Sequence, residues 1–271
     1  MDWSPIILVA IAAIGLVGGT LGGLLGLGGS VFIIPTITIL LGPNYHLYQA
    51  AALITNVCVA AAATRKHRGR GTIRTDVVPT MSAIGGCAAL LGVSLSNTVP
   101  TGWLHIGFGT FVCYASAAEL LALARRKPDA PDAKAGGALW MLACCAGGIA
   151  GFVSGLLGIG GGAVMVPILR RFGRFSLKQA VASSACAMIP ICFVGAIWKN
   201  ASIPALEAAG RTEATLSDSL GLAAVLSPAA IVGATIGAAL IYRLPAGAIR
   251  AILSLLLAYV GVRMVLAGLA G

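Results

Sequence analysis

Charge is scarce in this chain. Of its 271 residues only 10% are Asp, Glu, Lys or Arg, and eight acids face 18 bases. A soluble domain is about one-quarter charged. A water-exposed body of this size is therefore excluded, and most soluble enzymes with it. The net charge of +10 does not rescue a nucleic-acid binder, because too little polar surface accompanies it. Cys58, Cys87, Cys113, Cys144, Cys145, Cys186 and Cys192 lie inside apolar runs. They form no CxxC pair and have no His at metal-ligand spacing, so they read as small apolar residues. No metal and no other cofactor is expected. The 37 glycines follow no G-X-Y period, which excludes collagen.

Apolar residues fill the space that charge leaves. They make up 58% of the chain, at a mean hydropathy of +0.97. The apolar runs are continuous rather than alternating, which argues for membrane helices and against a barrel. The start, Met1-Asp2-Trp3-Ser4-Pro5, has no basic leader, so residues 5–27 are expected to be a retained membrane segment. Ten segments can be marked: 5–27, 29–41, 48–64, 77–97, 101–124, 136–158, 162–170, 176–197, 217–242 and 246–268. The second and seventh are too short to cross a hydrocarbon core of about 30 Å. Both follow a glycine-dense stretch. One polar linker, residues 125–135, lies near the middle.

The chain repeats across that linker. Gly23-Leu24-Leu25-Gly26-Leu27-Gly28-Gly29-Ser30-Val31-Phe32-Ile33-Ile34-Pro35 aligns without a gap on Gly155-Leu156-Leu157-Gly158-Ile159-Gly160-Gly161-Gly162-Ala163-Val164-Met165-Val166-Pro167, with seven identities in thirteen. Gly15 and Gly19 match Gly147 and Gly151 at the same offset. Ala52-Leu53-Ile54-Thr55-Asn56 resembles Ala180-Val181-Ala182-Ser183-Ser184. Gly92, Pro100, Gly102 and Tyr114 match Gly237, Pro245, Gly247 and Tyr259. The expected organisation is a first transmembrane repeat at 1–124, a cytoplasmic linker at 125–135 and a second repeat at 136–271.

Five segments per repeat is an odd number, so the repeats should face opposite ways. Lys and Arg cluster in cytoplasmic loops. Loop 65–76 carries Arg65, Lys66, Arg68, Arg70 and Arg74. The linker carries Arg125, Arg126, Lys127 and Lys134. Loop 170–178 carries Arg170, Arg171, Arg174 and Lys178, and Arg243 and Arg250 flank the last turn. Connections 42–47, 98–100 and 198–216 then fall outside, with only Lys199 and Arg211 among them. Arg263 is the one exception. The pattern is that of an inverted repeat with both termini outside.

The chemistry is expected at the two glycine elbows, Gly26, Gly28, Gly29 and Ser30 in one half and Gly158, Gly160, Gly161 and Gly162 in the other. Backbone broken at membrane depth must be buried in protein or line a cavity. Short glycine-interrupted segments at matching places in two halves mark a transporter's binding site. A helix starting after each elbow aims free N–H groups at an anion. The upstream glycines spaced by four, Gly15, Gly19 and Gly23 with Gly147, Gly151 and Gly155, read instead as close helix packing. No Lys-Ser/Thr follows either elbow, so a nucleotide loop is excluded.

At these elbows the chain resembles the sulfite exporter TauE/SafE family, also described as toluene sulfonate uptake permeases. The resemblance rests on the doubled G-x-G-G-x-x-x-x-x-P pattern, Gly26 to Pro35 and Gly158 to Pro167. It also rests on the Ala-x-x-Thr-Asn and Ala-x-x-Ser-Ser stretches that follow, and on the run from Gly233 to Pro245. It covers nearly the whole chain. It implies movement of a small sulfur-containing anion, such as sulfite, sulfoacetate or another organosulfonate, across a bacterial inner membrane.

Thr55, Asn56, Ser183 and Ser184 lie mid-segment and are counted with the elbows as substrate-binding candidates, against a second role in interhelical hydrogen bonding. Glu119 is the one acid well inside an apolar run and reads as interfacial, near Arg125, or as the carrier of a coupling proton. His105, near the outer end of its segment, and His46, in an outer loop, read as interfacial. Trp103, Trp198, Tyr45 and Tyr48 are expected as boundary anchors. No nucleophile with a base and an orienting acid can be assembled. The expectation is an all-α polytopic membrane protein, a secondary transporter of a small anion by alternating access and not an enzyme. Its partners are the anion, the lipid bilayer and a coupling proton or cation, with no nucleic acid. A passive anion channel on the same scaffold and, further off, a membrane-embedded enzyme are the alternatives.

Overall fold

A computed structural model describes residues 4–124, 139–242 and 246–270. The expected linker at 125–135, Arg243 and the side chain of Glu119 lie outside the described residues. Among those described the fold is all helix: α1 (Pro5–Leu25), α2 (Ser30–Leu41), α3 (Tyr45–Arg68), α4 (Val78–Thr98), α5 (Thr101–Ala124), α6 (Leu139–Leu157), α7 (Gly162–Arg171), α8 (Leu177–Ala208), α9 (Leu216–Leu240) and α10 (Ala246–Ala270). Local chemistry sets the ends. Ser4 caps α1 through its hydroxyl and Pro5 opens it, while Gly26 closes it in the left-handed conformation. Ser176 with Gln179, and Thr215 with Asp218, form capping boxes at the starts of α8 and α9.

The two short helices are where the glycines place them. α2 has 12 residues and α7 has 10, about 18 and 15 Å of rise, well short of a bilayer core. Six of the described helices, α1, α3, α4, α6, α8 and α9, are long and apolar enough to cross one. α5 and α10, at 24 and 25 residues, have the length as well.

Two boundaries differ from the sequence expectation. The segment expected to end at 197 continues to Ala208 as a 32-residue α8. Lys199 therefore lies in a helix and not in a connection. No glycine stops the chain before Gly210, and Asn200 is satisfied inside the fold by donating to Ala196 O at 2.8 Å and accepting from Ser219 Oγ at 2.8 Å. The third segment starts at Tyr45, because the Asn44 side chain caps it. His46 is consequently a buried residue of α3 rather than part of a loop. Tyr45 and Tyr48, expected as boundary anchors, are buried too, whereas Trp103 and Trp198 are exposed as anticipated.

The principal helix pairings are unchanged when the first five helices are exchanged for the last five, although lesser ones, such as α2 with α10, have no equal counterpart. α1 packs on α9, and α6 on α4. α9 packs on α3, and α4 on α8. α2 touches α1 and α3, as α7 touches α6 and α8. α3 pairs with α8, and α5 with α10. α3 and α8 form the centre: 67% of the spanning window of each is buried, against 33–44% for the other candidate spans. Large apolar side chains at the periphery, among them Ile6, Val9, Leu91 and Trp140, are exposed, as a lipid-facing surface requires.

Glycine makes the α1–α9 and α6–α4 contacts possible. A Cβ on Gly15 would lie 2.7 Å from Leu226 O, and one on Gly147 would lie 2.6 Å from Met81 O. Gly19 and Gly23 face the carbonyls of Ala230 and Ala234 still more closely, and Gly151 and Gly155 face those of Gly85 and Ala89. The small-residue spacing is a packing device, as expected.

The loops sort to two ends. Arg70 and Lys178 both lie over the Tyr242 ring, 4.0 and 5.4 Å from its centroid, so loops 65–76 and 170–178 meet beside the end of α9. At the other end Thr212 Oγ1 donates to Asn44 Oδ1 at 3.1 Å, and Arg211 donates to Asn97 O. The connections α2–α3, α4–α5 and α8–α9, now at 42–44, 99–100 and 209–215, thus converge as well.

Gly151→Val should force α6 off α4 and cost at least the 1–3 kcal/mol typical of overpacking, seen as a lower melting temperature in detergent. Gly86→Ala, whose Cβ would meet nothing nearer than Val194 Cγ2 at 3.9 Å, should leave that temperature unchanged or slightly raised.

Candidate functional site

Both elbows need glycine for their backbone. φ is +65° at Gly26 and +85° at Gly28, and +72°, +86° and +83° at Gly158, Gly160 and Gly161. Side chains other than glycine's rarely adopt these angles. α2 and α7 then start without a side-chain cap at Gly29 or Gly161. The first N–H groups of each helix lie outside its internal pairing. Among the described residues, one of them gains a side-chain acceptor: Ser30 N–H donates to Asn56 Oδ1 at 3.2 Å.

The elbows meet each other. A Cβ on Gly28 would sit 2.7 Å from Ile159 O, and a Cβ on Gly162 would run into Gly26 O. This contact explains why glycine stands at 162 where the first half has Ser30. Asn56, fully buried on α3, staples the junction. Its Nδ2 donates to Ser30 Oγ at 2.8 Å and to Gly158 O at 3.2 Å. The reversed amide would set N–H against N–H at Ser30 and oxygen against oxygen at Gly158, so the network fixes its orientation. Met188 of α8 reaches between the elbows: its Cε would be 3.1 Å from a Cβ on Gly28 and 2.8 Å from one on Gly160. Beside the first elbow lies an apolar cavity lined by Leu25, Leu27, Gly28, Val31 and Leu257 among others.

Eight of the twelve expected residues come together here: Gly26, Gly28, Ser30, Asn56, Gly158, Gly160, Gly162 and Ser184. Ser184 Oγ bonds Val181 O at 3.0 Å and lies 3.2 Å from where a Cβ on Gly26 would be. The other four face elsewhere. Gly29 and Gly161 pack against the helix before their own elbow, each 3.0 Å from a carbonyl, Gly18 O and Ala150 O, to an added Cβ. Thr55 bonds Ala51 O at 3.0 Å and lies 3.5 Å from Ser227 Oγ on α9. Ser183 Oγ accepts from Arg74 N–H at 2.9 Å. His105 is buried edge-on against Tyr45, centroids 5.0 Å apart.

Three participants were not expected at the site, Tyr45 having been read as a boundary anchor. Gln49 Nε2 donates to Gly155 O at 2.7 Å and Leu156 O at 3.0 Å. Tyr45 Oη donates to Leu157 O at 2.9 Å. Together they take up the last carbonyls of α6. Met188 is the third. Gln49 was findable, since it lies two turns before Asn56 on one face of α3. Nothing in the sequence distinguishes Met188 from core.

At the basic end, Arg74 and Asp76 form a 2.6 Å ion pair. The hydrogen bonds from the Arg74 side chain hold the Asp76 carboxyl below its usual 3.8. A carboxyl lowered by folding contributes stability that is complete above the unfolded pKa and is lost as pH falls through the folded one.

The sequence profile of the family described as Sulfite exporter TauE/SafE matches residues 11–264. The chain belongs to this family. It is a multi-pass inner-membrane protein of a transporter family. The probable membrane transporter protein MamO of Magnetospirillum gryphiswaldense is 25% identical over 293 residues, which cover 95% of this chain and 44% of MamO. The chain thus spans less than half the length of that relative. The probable membrane transporter protein YunE of Bacillus subtilis is 25% identical over 198 residues, 65% of this chain and 72% of YunE. A probable membrane transporter protein of Haemophilus influenzae is 29% identical over 215 residues, 70% of this chain and 75% of that protein. No solved structure matches.

Asn56→Ala should cost about 1–3 kcal/mol by leaving buried partners unpaired, whereas Thr55→Ala, which removes a bond back to its own helix and a long contact with Ser227, should cost less, about 1 kcal/mol. Thermal melting of both variants checks this. In the same assay the advantage of the parent over Asp76→Asn should be constant above about pH 4 and shrink as pH falls further.

Proposed function

We propose that this protein is a secondary transporter of a small sulfur-containing anion, sulfite, sulfoacetate or another organosulfonate, working by alternating access and without enzymatic chemistry. The two units, residues 1–124 and 136–271, are inverted repeats, with α2 and α7 re-entering to mid-bilayer. One observation carries this: two glycine elbows from opposite halves are apposed beside the central α3–α8 pair, each opening a helix N-terminus. Amide N–H groups and the positive end of a helix favour an anion, by about 0.3–1 kcal/mol per helix and up to about 2 when partly buried. Neutral Ser30, Asn56 and Ser184 add polar groups without a fixed charge that would trap the solute.

The inversion is supported by the exchange-symmetric pairing of helices and by the basic loops gathered at one end. Alternating access is supported by the packing of the elbows on each other. Admission of an anion parts them, which a carrier does once per cycle and a channel does not. The coupling ion is a proton or a cation.

Gly28→Val and Gly160→Val should abolish uptake into proteoliposomes while the protein still accumulates in the membrane. Uptake unchanged in both removes the elbows from the mechanism. A thermal-shift screen of sulfite, thiosulfate, sulfoacetate, taurine and sulfate identifies the anion, with stabilisation expected from at least one sulfur oxyanion. Currents of many ions per protein per microsecond, without competition between anions, would identify a channel instead.

A further inference from the structure

Lys199 has no accessible surface. It lies in α8, at the end of the α3–α8 seam away from the Arg-rich loops. Its ammonium donates to three neutral acceptors, Asn97 Oδ1 at 2.7 Å, His46 Nδ1 at 2.9 Å and Ser96 Oγ at 3.3 Å. The three bonds match the three protons of an ammonium, an assignment that sets the His46 proton on Nε2. Among the described residues no carboxylate pairs with it. At this end the exposed Arg211 donates to Asn97 O; the acids here are Glu207 and Glu213, both exposed, and Asp218, whose carboxylate accepts from Thr215 at the start of α9.

A buried charge without a counter-charge is expensive. Membrane topology does not account for this one, because topological cations sit in loops on the opposite face. Helix capping does not account for it either. Arg211 already serves the α4 carbonyl at Asn97, and Thr98 Oγ1 with Val99 N–H serves Leu95 O. The cation is also wired inward. Ser96 Oγ donates to Gln49 Oε1 at 2.8 Å, and Gln49 Nε2 holds the carbonyls of Gly155 and Leu156 that lead into the second elbow. His46, Gln49, Leu53 and Asn56 follow one face of α3. Lys199, Gly195, Cys192, Met188 and Ser184 follow the facing side of α8. Lys199 stands about 16 Å along α8 from Met188 at the elbows.

We propose that Lys199 is a second anion-binding station, at the mouth of the α3–α8 seam, where a small sulfur oxyanion displaces Asn97 Oδ1 or His46 before or after it occupies the elbow amides. Arg211 draws the anion to the mouth and Lys199 holds it. Leu53, packed against Gly195, separates the station from the elbows. The proposal rests on the anion-transport function proposed for the elbows.

The test is sulfite transport by the purified chain in proteoliposomes. Lys199→Met should raise the KM for sulfite about tenfold or more and leave the maximal rate within about threefold, and Lys199→Arg should restore most of the affinity. Lys199→Gln, which still bonds Asn97 and Ser96, is held to the same criterion if the Met variant does not accumulate. A KM within about twofold of the parent, or a lower maximal rate at unchanged KM, overturns the station. If Gly160→Val nevertheless abolishes transport, the elbow function survives that result. A parent protein that neither binds nor moves sulfite, thiosulfate, sulfoacetate or sulfate overturns both.

Discussion

Everything in this fold is arranged around two broken stretches of backbone that cover each other. An unpaired peptide group in hydrocarbon costs several kcal/mol, so the turns at Gly26–Gly29 and Gly158–Gly161 cannot face lipid. The fold meets this constraint by pressing one elbow on the other and enclosing both with its two most buried spanning helices, α3 and α8. Asn56 satisfies part of the exposed backbone directly, through Ser30 N–H and Gly158 O. The close α1–α9 and α6–α4 seams follow, because each elbow ends a helix whose position must be fixed to within a van der Waals contact. Glycine carbonyl-to-Cβ spacing along those seams leaves no room for anything larger.

The halves share a plan but not their chemistry. Ser30 and Asn56 form a hydrogen-bonded pair in the first half. Their counterparts, Gly162 and Ser184, do not: Gly162 is pressed on Gly26 O, and Ser184 bonds its own helix. The N-terminus of α7 is therefore less engaged by side chains than that of α2. In the proposed mechanism α7 is the stronger anion donor, and α2 with Asn56 is the harder wall against which it closes. Gln49 and Tyr45 strengthen this asymmetry by holding the end of α6, and among the described residues no equivalent side-chain bonds reach the end of α1.

Much of this was legible in the sequence because repeated glycine motifs and scarce charge are unambiguous signals. Ten apolar segments, two of them short, and a doubled G-x-G-G pattern locate the helices and the elbows within a few residues, save for the end of α8, which runs on to Ala208. What was not legible is helix rotation. Thr55 and Asn56 are neighbours in sequence but about 100° apart around α3. One faces Ser227 of α9 and the other the elbow. The same holds for Ser183 and Ser184. A helix that is apolar all round carries no moment to orient it, so the sequence could not choose between them. Lys199 was missed for a different reason. A lone cation normally ends a membrane helix, and here α8 runs on past it because Asn97, Ser96 and His46 from two other helices supply its bonds.

The central claim is that the apposed elbow amides hold the anion. Selenite is a heavier stand-in for sulfite, and crystals grown with it give an anomalous difference map that places the selenium directly. The account predicts a strong peak between Gly28 and Gly160, within hydrogen-bond reach of the first N–H groups of α7. Peaks confined to the Arg-rich loops, with none at the elbow junction of a protein that transports sulfite, would contradict it.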